Sequence, residues 1–311
     1  MSSNSNPIKL GIVGVGKIVR DQHLPALAKD RDYRLVAAAS RHGKVDGIAN
    51  FPDIEAMLDA VPELEAVSLC MPPQFRYDAA RTALAAKKHV FLEKPPGATV
   101  SEVEDLKALA VANGVSLFAS WHSRYAPAVE AARDFLGSTT IRSAAINWKE
   151  DVRRWHPNQD WIWAPGGFGV FDPGINALSI ATHILPAMFI SSAILDFPEN
   201  RAAPIAAHIA FRTSNGLPVA MELDWRQTGP QSWDILAETD KGAMLLSGGG
   251  SKLAVDGRVV HDEPEAEYPM LYRRFAEIVR AGISDVDLAP LQHVADAFML
   301  GKRNVVEAFY D

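Results

Sequence analysis

Cysteine is almost missing from this chain. Of 311 residues only Cys70 is one, so no internal disulfide can close and no multi-thiolate metal site can form. Cys70 ends the apolar run Ala66-Val67-Ser68-Leu69-Cys70 and reads as a small buried strand residue. Positive charge is in deficit as well: 31 Lys and Arg against 38 Asp and Glu leave a net charge of -7. That balance offers no broad cationic face to nucleic acid or anionic lipid, so any attraction for phosphate has to be local. An uninterrupted membrane span is also lacking. Residues 177–195 are apolar, but His183 and Pro186 break the run, and Pro186 divides a buried helix from a β-like stretch at 189–195. His183, within that apolar helix, reads as a satisfied core histidine. The polar start Met1-Ser-Ser-Asn-Ser-Asn-Pro7 has no signal-peptide core, and a cytoplasmic protein is the expectation.

What is present is alternation. The pattern predicts strands at 8–13, 34–39, 66–71, 89–92 and 115–119, with helices at 16–29 and 76–86 between them. Ser101 with Glu104 reads as a capping box, and Asn113-Gly114 closes the helix that follows. Such alternation predicts an α/β domain with a doubly wound parallel sheet over residues 1–122. After Tyr125 the character changes. Segments 140–148, 205–213, 218–225, 233–239, 243–246 and 252–260 read as strands, joined by turns such as Ser214-Asn215-Gly216 and Asp256-Gly257. Residues 123–311 are therefore expected to form an α+β domain around a large, mainly antiparallel, open-faced sheet. Two helices, at 268–281 and 291–309, end the chain, and the last is expected to pack back on the first domain.

Gly11-Ile-Val-Gly14-Val-Gly16-Lys17-Ile18-Val19 joins the first strand to the first helix. In that context Gly14 permits a tight turn, and Gly16 lets the amides of Lys17 and Ile18 approach a pyrophosphate at the helix N-terminus. Val19 stands where a third glycine or alanine usually packs helix on strand. The second strand ends Ala37-Ala38-Ala39-Ser40-Arg41-His42, without a carboxylate for a ribose 2′-hydroxyl. Ser40 and Arg41 can both donate to a 2′-phosphate instead, which predicts NADP as the preferred cofactor, with NAD accepted less well.

The glycine turn, Pro72-Pro73, Glu93-Lys94-Pro95 and Gly166-Gly-Phe-Gly-Val-Phe-Asp172-Pro-Gly174-Ile-Asn176 together resemble the glucose-fructose oxidoreductase and inositol dehydrogenase (Gfo/Idh/MocA) family, over essentially the whole chain. Trp121-His122-Ser-Arg124-Tyr125 and the stretch from Trp148 to Pro157 resemble its bacterial L-arabinose and D-galactose 1-dehydrogenases. The resemblance implies a Rossmann domain with Gly14, Gly16, Lys17, Ile18, Ser40, Arg41, Pro72, Pro73, Glu93 and Lys94 around the cofactor. It also implies a cis Lys94-Pro95 bond and a second domain that binds substrate and builds a homo-oligomer, dimer or tetramer. Lys94 and Asp172 are the implied catalytic pair, with Glu150, His156 and Asn176 holding sugar hydroxyls. The family's usual histidine four residues after the aspartate is here Asn176, and its second acid is Ser179.

The chemistry fits these residue types. Oxidising a hemiacetal moves hydride from C1 while the C1 hydroxyl loses a proton, so a base must lie within hydrogen-bond reach of that oxygen. Which of Lys94 and Asp172 takes the proton stays open. Trp148, Trp155, Trp161 and Trp163 crowd one stretch with Asp151, His156 and Asp160, a composition suited to a small carbohydrate. Trp155 and His122 are further substrate contacts on this reading. Asp172 and His156 lack neighbours at metal-ligand spacing, and hydride transfer needs no metal. The sequence thus reads as an NADP-dependent aldose 1-dehydrogenase for L-arabinose, D-galactose or D-fucose, with a small-molecule sugar as partner and neither nucleic acid nor membrane. Another sugar or inositol oxidoreduction, or a silent nucleotide-binding regulator, is the alternative.

Overall fold

The structure, a computed structural model, describes residues 6–264 and 266–310. They group into two compact units: the chain up to His122 together with Tyr268–Asp287, and Ser123–Glu267 together with the chain from Leu288 onward.

The first unit is built on six strands, β1 (Ile8–Val13), β2 (Tyr33–Ala39), β3 (Ala49–Phe51), β4 (Ala66–Leu69), β5 (His89–Glu93) and β6 (Leu117–Ser120), in the order β3-β2-β1-β4-β5-β6. Every pair is parallel. The strands are near-continuous apolar runs because helices cover the faces of a parallel sheet. The connections reverse direction between β1 and β4, and the crevice at the carboxyl ends of those strands is where such sheets take ligands. The first helix departs from the expected 16–29. Pro25 has no N–H for the Asp21 carbonyl and its ring crowds that carbonyl. The turn Val19–His23 widens, with Leu24 N–H donating to Val19 O, before a short α-helix at Leu24–Leu27. The cap of Val100–Asn113 is also shifted: Thr99, not Ser101, accepts from Glu102 N–H at 3.2 Å, and Glu102 in turn accepts from Ala98 N–H at 3.0 Å.

Tyr33, Phe91 and Phe118 of this sheet pack against Tyr272 and Phe275 of the helix Glu267–Ala281, with ring centroids 5.3–6.3 Å apart. Tyr272 and Phe275 are fully buried. At about 25 cal/mol per Å² of apolar area, each such aromatic contributes on the order of 2–3 kcal/mol. A segment some 145 residues further along the chain therefore completes the core of the first unit.

The second unit carries a nine-stranded sheet: β7 (Ile141–Lys149), β8 (Met188–Pro198), β9 (Ala206–Thr213), β10 (Pro218–Asp224), β11 (Ser232–Thr239), β12 (Gly242–Ser247), β13 (Lys252–Val255), β14 (Arg258–Asp262) and β15 (Lys302–Val306). Its order is β14-β13-β12-β11-β7-β10-β9-β8-β15, antiparallel except for β10 on β7 and β15 on β8. The expected helix at 291–309 is corrected: it runs Ala289–Leu300, the chain extends at Gly301, and Lys302–Val306 becomes an edge strand. The open edge of β8 offers backbone partners to Val305 and Val306, whose branched side chains favour a strand. The last helix lies on β8 and on the helix Phe171–Ile184, within the second unit. Burial alternates residue by residue along β10, and along β8 with a break at the bulge Ser191–Ser192; Phe189, Ile194, Leu236 and Leu245 stay exposed. Among the described residues no helix is long and apolar enough to cross a membrane.

Candidate active site

In the first unit, Gly14 follows β1 with φ +87°, and a Cβ there would stand 2.7 Å from Met71 N. Only glycine lets the β1 turn lie against the chain leaving β4. Gly16 has nothing within 4 Å of its missing Cβ, so its side of the turn is free for a close-lying group. The amides after it open the helical turn at Val19. This cradle fits a dinucleotide pyrophosphate. Lys17 pairs with Asp21 at the surface, and Ile18 is 37% exposed. Ser40 ends the β2 connection, its N–H bonded to Phe51 O at 3.0 Å and its Oγ accepting from Gly43 N–H at 3.2 Å; Arg41 is exposed. Pro72 and Pro73 shape the turn after β4, with Pro73 buried.

At the end of β5 the Lys94-Pro95 bond is cis. Lys94 N–H donates to Glu93 Oε2 at 2.7 Å. The other oxygen of that carboxylate accepts from Tyr268 OH at 2.7 Å and lies 3.1 Å from His23 Nε2. His23 Nδ1 is 2.6 Å from Tyr272 OH. Burial would push the Glu93 carboxyl up. His23, through its hydrogen bond and charge, wins with help from His122 and Tyr268, and the carboxyl falls from its ordinary 4.5 to about 2. His23 shifts the other way: burial works against its charged form, yet Cys70, Tyr272 and Glu93 hold it well above its ordinary value. No motif marks His23, Tyr268 or Tyr272 for this role, since they come from segments remote from Lys94. Glu93 thus has both carboxylate oxygens turned to protein groups. His122 stacks on Tyr268, centroids 5.7 Å apart.

In the second unit Asp172 sits in the first turn of Phe171–Ile184, 5% exposed, its N–H bonded to Gly169 O at 2.8 Å. Gly174 allows this helix to lie close on β10, because a Cβ would come 2.5 Å from Leu223 Cδ1. His156 stands between two buried acids, its Nδ1 3.6 Å from Asp172 Oδ2 and its Nε2 3.5 Å from Glu150 Oε1. Both separations are longer than a strong hydrogen bond. Glu150 is fixed by two indoles: Trp225 Nε1 donates at 3.3 Å and Trp233 Nε1 at 2.9 Å. Asn176, four residues after Asp172 and half-buried, follows on the same helix face. Trp155 is 38% exposed, edge-on to Trp233 at 5.3 Å, with its Nε1 on Gln231.

The structure brings Glu150, His156 and Asp172 into one row and gives the tryptophans separate tasks. Trp148 and Trp163 are core residues. Asp151 caps the turn Val152–Trp155 and pairs with Arg153. Trp225 and Trp233 hold Glu150 and were missed. They lie at strand ends, and the two-residue parity of those strands was the available signal. His183 is no core residue: it is half-buried and 2.5 Å from Glu130.

The signature of an oxidoreductase family with an NAD-binding Rossmann fold, Gfo/Idh/MocA, matches residues 8–120. A galactose 1-dehydrogenase of Pseudomonas fluorescens is 44% identical over 307 residues, 98% of this chain and 99% of that one. The crystal structure of a D-galactose-1-dehydrogenase protein from Rhizobium etli is 70% identical, superposes with a TM-score of 0.97 and covers 100% of both chains. A 3-ketoreductase from Actinomadura kijaniata, in complex with NADP and TDP-benzene, shares the fold with a TM-score of 0.83 at 19% identity, over 97% of this chain and 100% of that one. With a glycine cradle on a parallel sheet and likeness along its full length to such proteins, the chain belongs to the Gfo/Idh/MocA family of oxidoreductases.

Proposed function

We propose that this oxidoreductase oxidises an aldose of the D-galactose, L-arabinose or D-fucose type at C1 to the aldonolactone, with NADP preferred over NAD. The observation that carries the reading is the full-length likeness to D-galactose 1-dehydrogenases. The row Glu150, His156 and Asp172, set among indoles, supports it chemically. Two buried acids accept hydrogen bonds from adjacent sugar hydroxyls, and an aromatic wall suits the C–H face of the ring. The first unit holds the cofactor and the second the sugar. Gly14 and Gly16 seat the pyrophosphate, and Ser40 and Arg41 take the 2′-phosphate.

In the reaction the C1 hydrogen leaves with its electron pair and is accepted by NADP when that is bound. The O1 proton passes to the Lys94 and Asp172 couple as the C1–O1 double bond forms. Asn176 and Glu150 orient the ring so that C1 presents its hydrogen. His156, set between Asp172 and Glu150, spaces the two acids. The exposed apolar side chains of the large sheet support a homo-oligomer, readable by light scattering.

The test follows absorbance of reduced cofactor with a panel of aldoses, inositol and no sugar. Growth confined to galactose- and arabinose-type sugars is expected. Growth with inositol, or cofactor binding without turnover, overturns the reading. Lys94→Met and Asp172→Asn should each abolish turnover with cofactor affinity kept.

A further inference from the structure

We propose that Arg76 is a positioning residue for Lys94, its buried guanidinium gripping the carbonyls of the residues on either side of the lysine, Glu93 and Pro95. The inference rests on the reading of Lys94 as the reactive amine and adds the device that aims it. Arg76 opens the helix Arg76–Ala85 but turns inward, only 2% exposed. Its Nη1 donates to Glu93 O and to Pro95 O, and its Nη2 to Met71 O. The peptide before Lys94 is therefore held at its carbonyl by Arg76 and at its N–H by Glu93 Oε2. The residue after Lys94, a proline without N–H, is held by its carbonyl alone. The same fork reaches back to the chain leaving β4, next to the Gly14 turn. Two loops at the carboxyl edge of the sheet are thus locked to one rigid group.

The cost of this arrangement argues that it is selected for geometry. The Glu93 carboxylate is engaged by His23, Tyr268 and Lys94 N–H, so the guanidinium hydrogen-bonds to carbonyls rather than to an acid. Its Nε is buried without a hydrogen-bond partner among the described residues, and burial lowers the guanidinium to about 10. Glu93 offsets part of that burial by its charge but not by a hydrogen bond, and a buried cation held on carbonyls is an expensive way to fill a space. A planar fork reaches the three carbonyls from two nitrogens in fixed relative geometry, whereas a lysine would have to reach them from a single rotatable ammonium. With the backbone fixed, the point from which the Lys94 side chain departs is set, and a misplacement of about 1 Å can cost on the order of a hundredfold in rate.

The test is Arg76→Lys, which keeps the charge and loses the fork. The expected result is a kcat at least tenfold lower, with NADP Kd and sugar KM within threefold of wild type. In the cofactor-free protein, hydrogen exchange at the Lys94 amide should be at least tenfold faster while the other strands keep their protection. An unchanged kcat per folded enzyme, an unchanged Lys94 amide, or a loss confined to Kd or KM overturns the inference. If Arg76→Lys does not fold, Arg76→Gln carries the same readouts, and failure of both to fold assigns the guanidinium a purely structural role and overturns it too. Lys94→Met separates the two readings. Near-normal turnover there removes Lys94 as the reactive group; no turnover there with normal Arg76→Lys leaves Lys94 standing and removes Arg76.

Discussion

Replacing Glu93 with glutamine removes one negative charge and almost no volume, from a site where the partner cation has no access to water. His23 is fully buried and Glu93 is 4% exposed. The carboxyl falls from 4.5 unfolded to about 2 folded, which at about 1.4 kcal/mol per decade gives about 3 kcal/mol of stability at neutral pH. The raised His23 describes the same pair from its other side, so this is counted once. Because the folded value is depressed, the Glu93 contribution is complete above pH 4.5 and is lost as pH falls toward 2. His23, with its folded value raised, contributes below its unfolded 6.5 and loses that contribution as pH rises through the higher folded value. Equilibrium urea unfolding followed by circular dichroism reads both limbs. With a slope of about 3 kcal/mol per M, Glu93→Gln should lower the midpoint by about 1 M at pH 6. It should also flatten the decline between pH 4.5 and 3. A variant within about 0.3 M of wild type, or one that keeps the same acid limb, refutes the claim that this pair is a buried ion pair holding Lys94 N–H.

Gly14→Ala should cost about 1–3 kcal/mol by thermal unfolding, through its positive φ and the 2.7 Å approach to Met71 N, and should raise the cofactor Kd at least tenfold by titration. Trp233→Phe removes the 2.9 Å donor to Glu150; sugar KM should rise about five- to thirtyfold, as expected for a loss of about 1–2 kcal/mol, with NADP Kd unchanged. Arg41→Ala should cut the ratio of kcat/KM for NADP over NAD by about ten- to a hundredfold, and an unchanged ratio would remove Arg41 from the 2′-phosphate site.

Local signals carried much of the first sheet. The runs ending at Val13, Ala39 and Leu92 announced strands, the last of which extends to Glu93, and a turn that only glycine can make was visible at Gly14. The two departures there are also local in cause: Pro25 widened a helical turn, and Thr99 took a cap assigned to Ser101. What sequence reading could not supply is whatever depends on distant pairing. Val305 and Val306 follow a helix and continue its apolar pattern, yet β8 recruits them as a strand. Likewise Tyr268 and Tyr272 look like ordinary positions on an amphipathic helix, while the fold sends their hydroxyls to Glu93 and His23. In the sugar-side row, the motif resemblance named Glu150, His156, Asp172 and Asn176. The indole donors that hold Glu150 lie 75 and 83 residues away and carry no motif.

The return of Tyr268–Asp287 to the first unit has a consequence during translation. The ribosome releases the early βα segments long before the aromatic plug that seals them has been made, so this lobe stays open at its core until the segment Tyr268–Asp287 has emerged. Domains commonly complete themselves in N-to-C order as they are synthesised; here the earliest-made sheet must wait for nearly the latest-made helix. The same ordering means that no single cut can excise the cofactor lobe intact, and a soluble version would need Asp287 in the same molecule as Met1, with the intervening lobe replaced by a short linker.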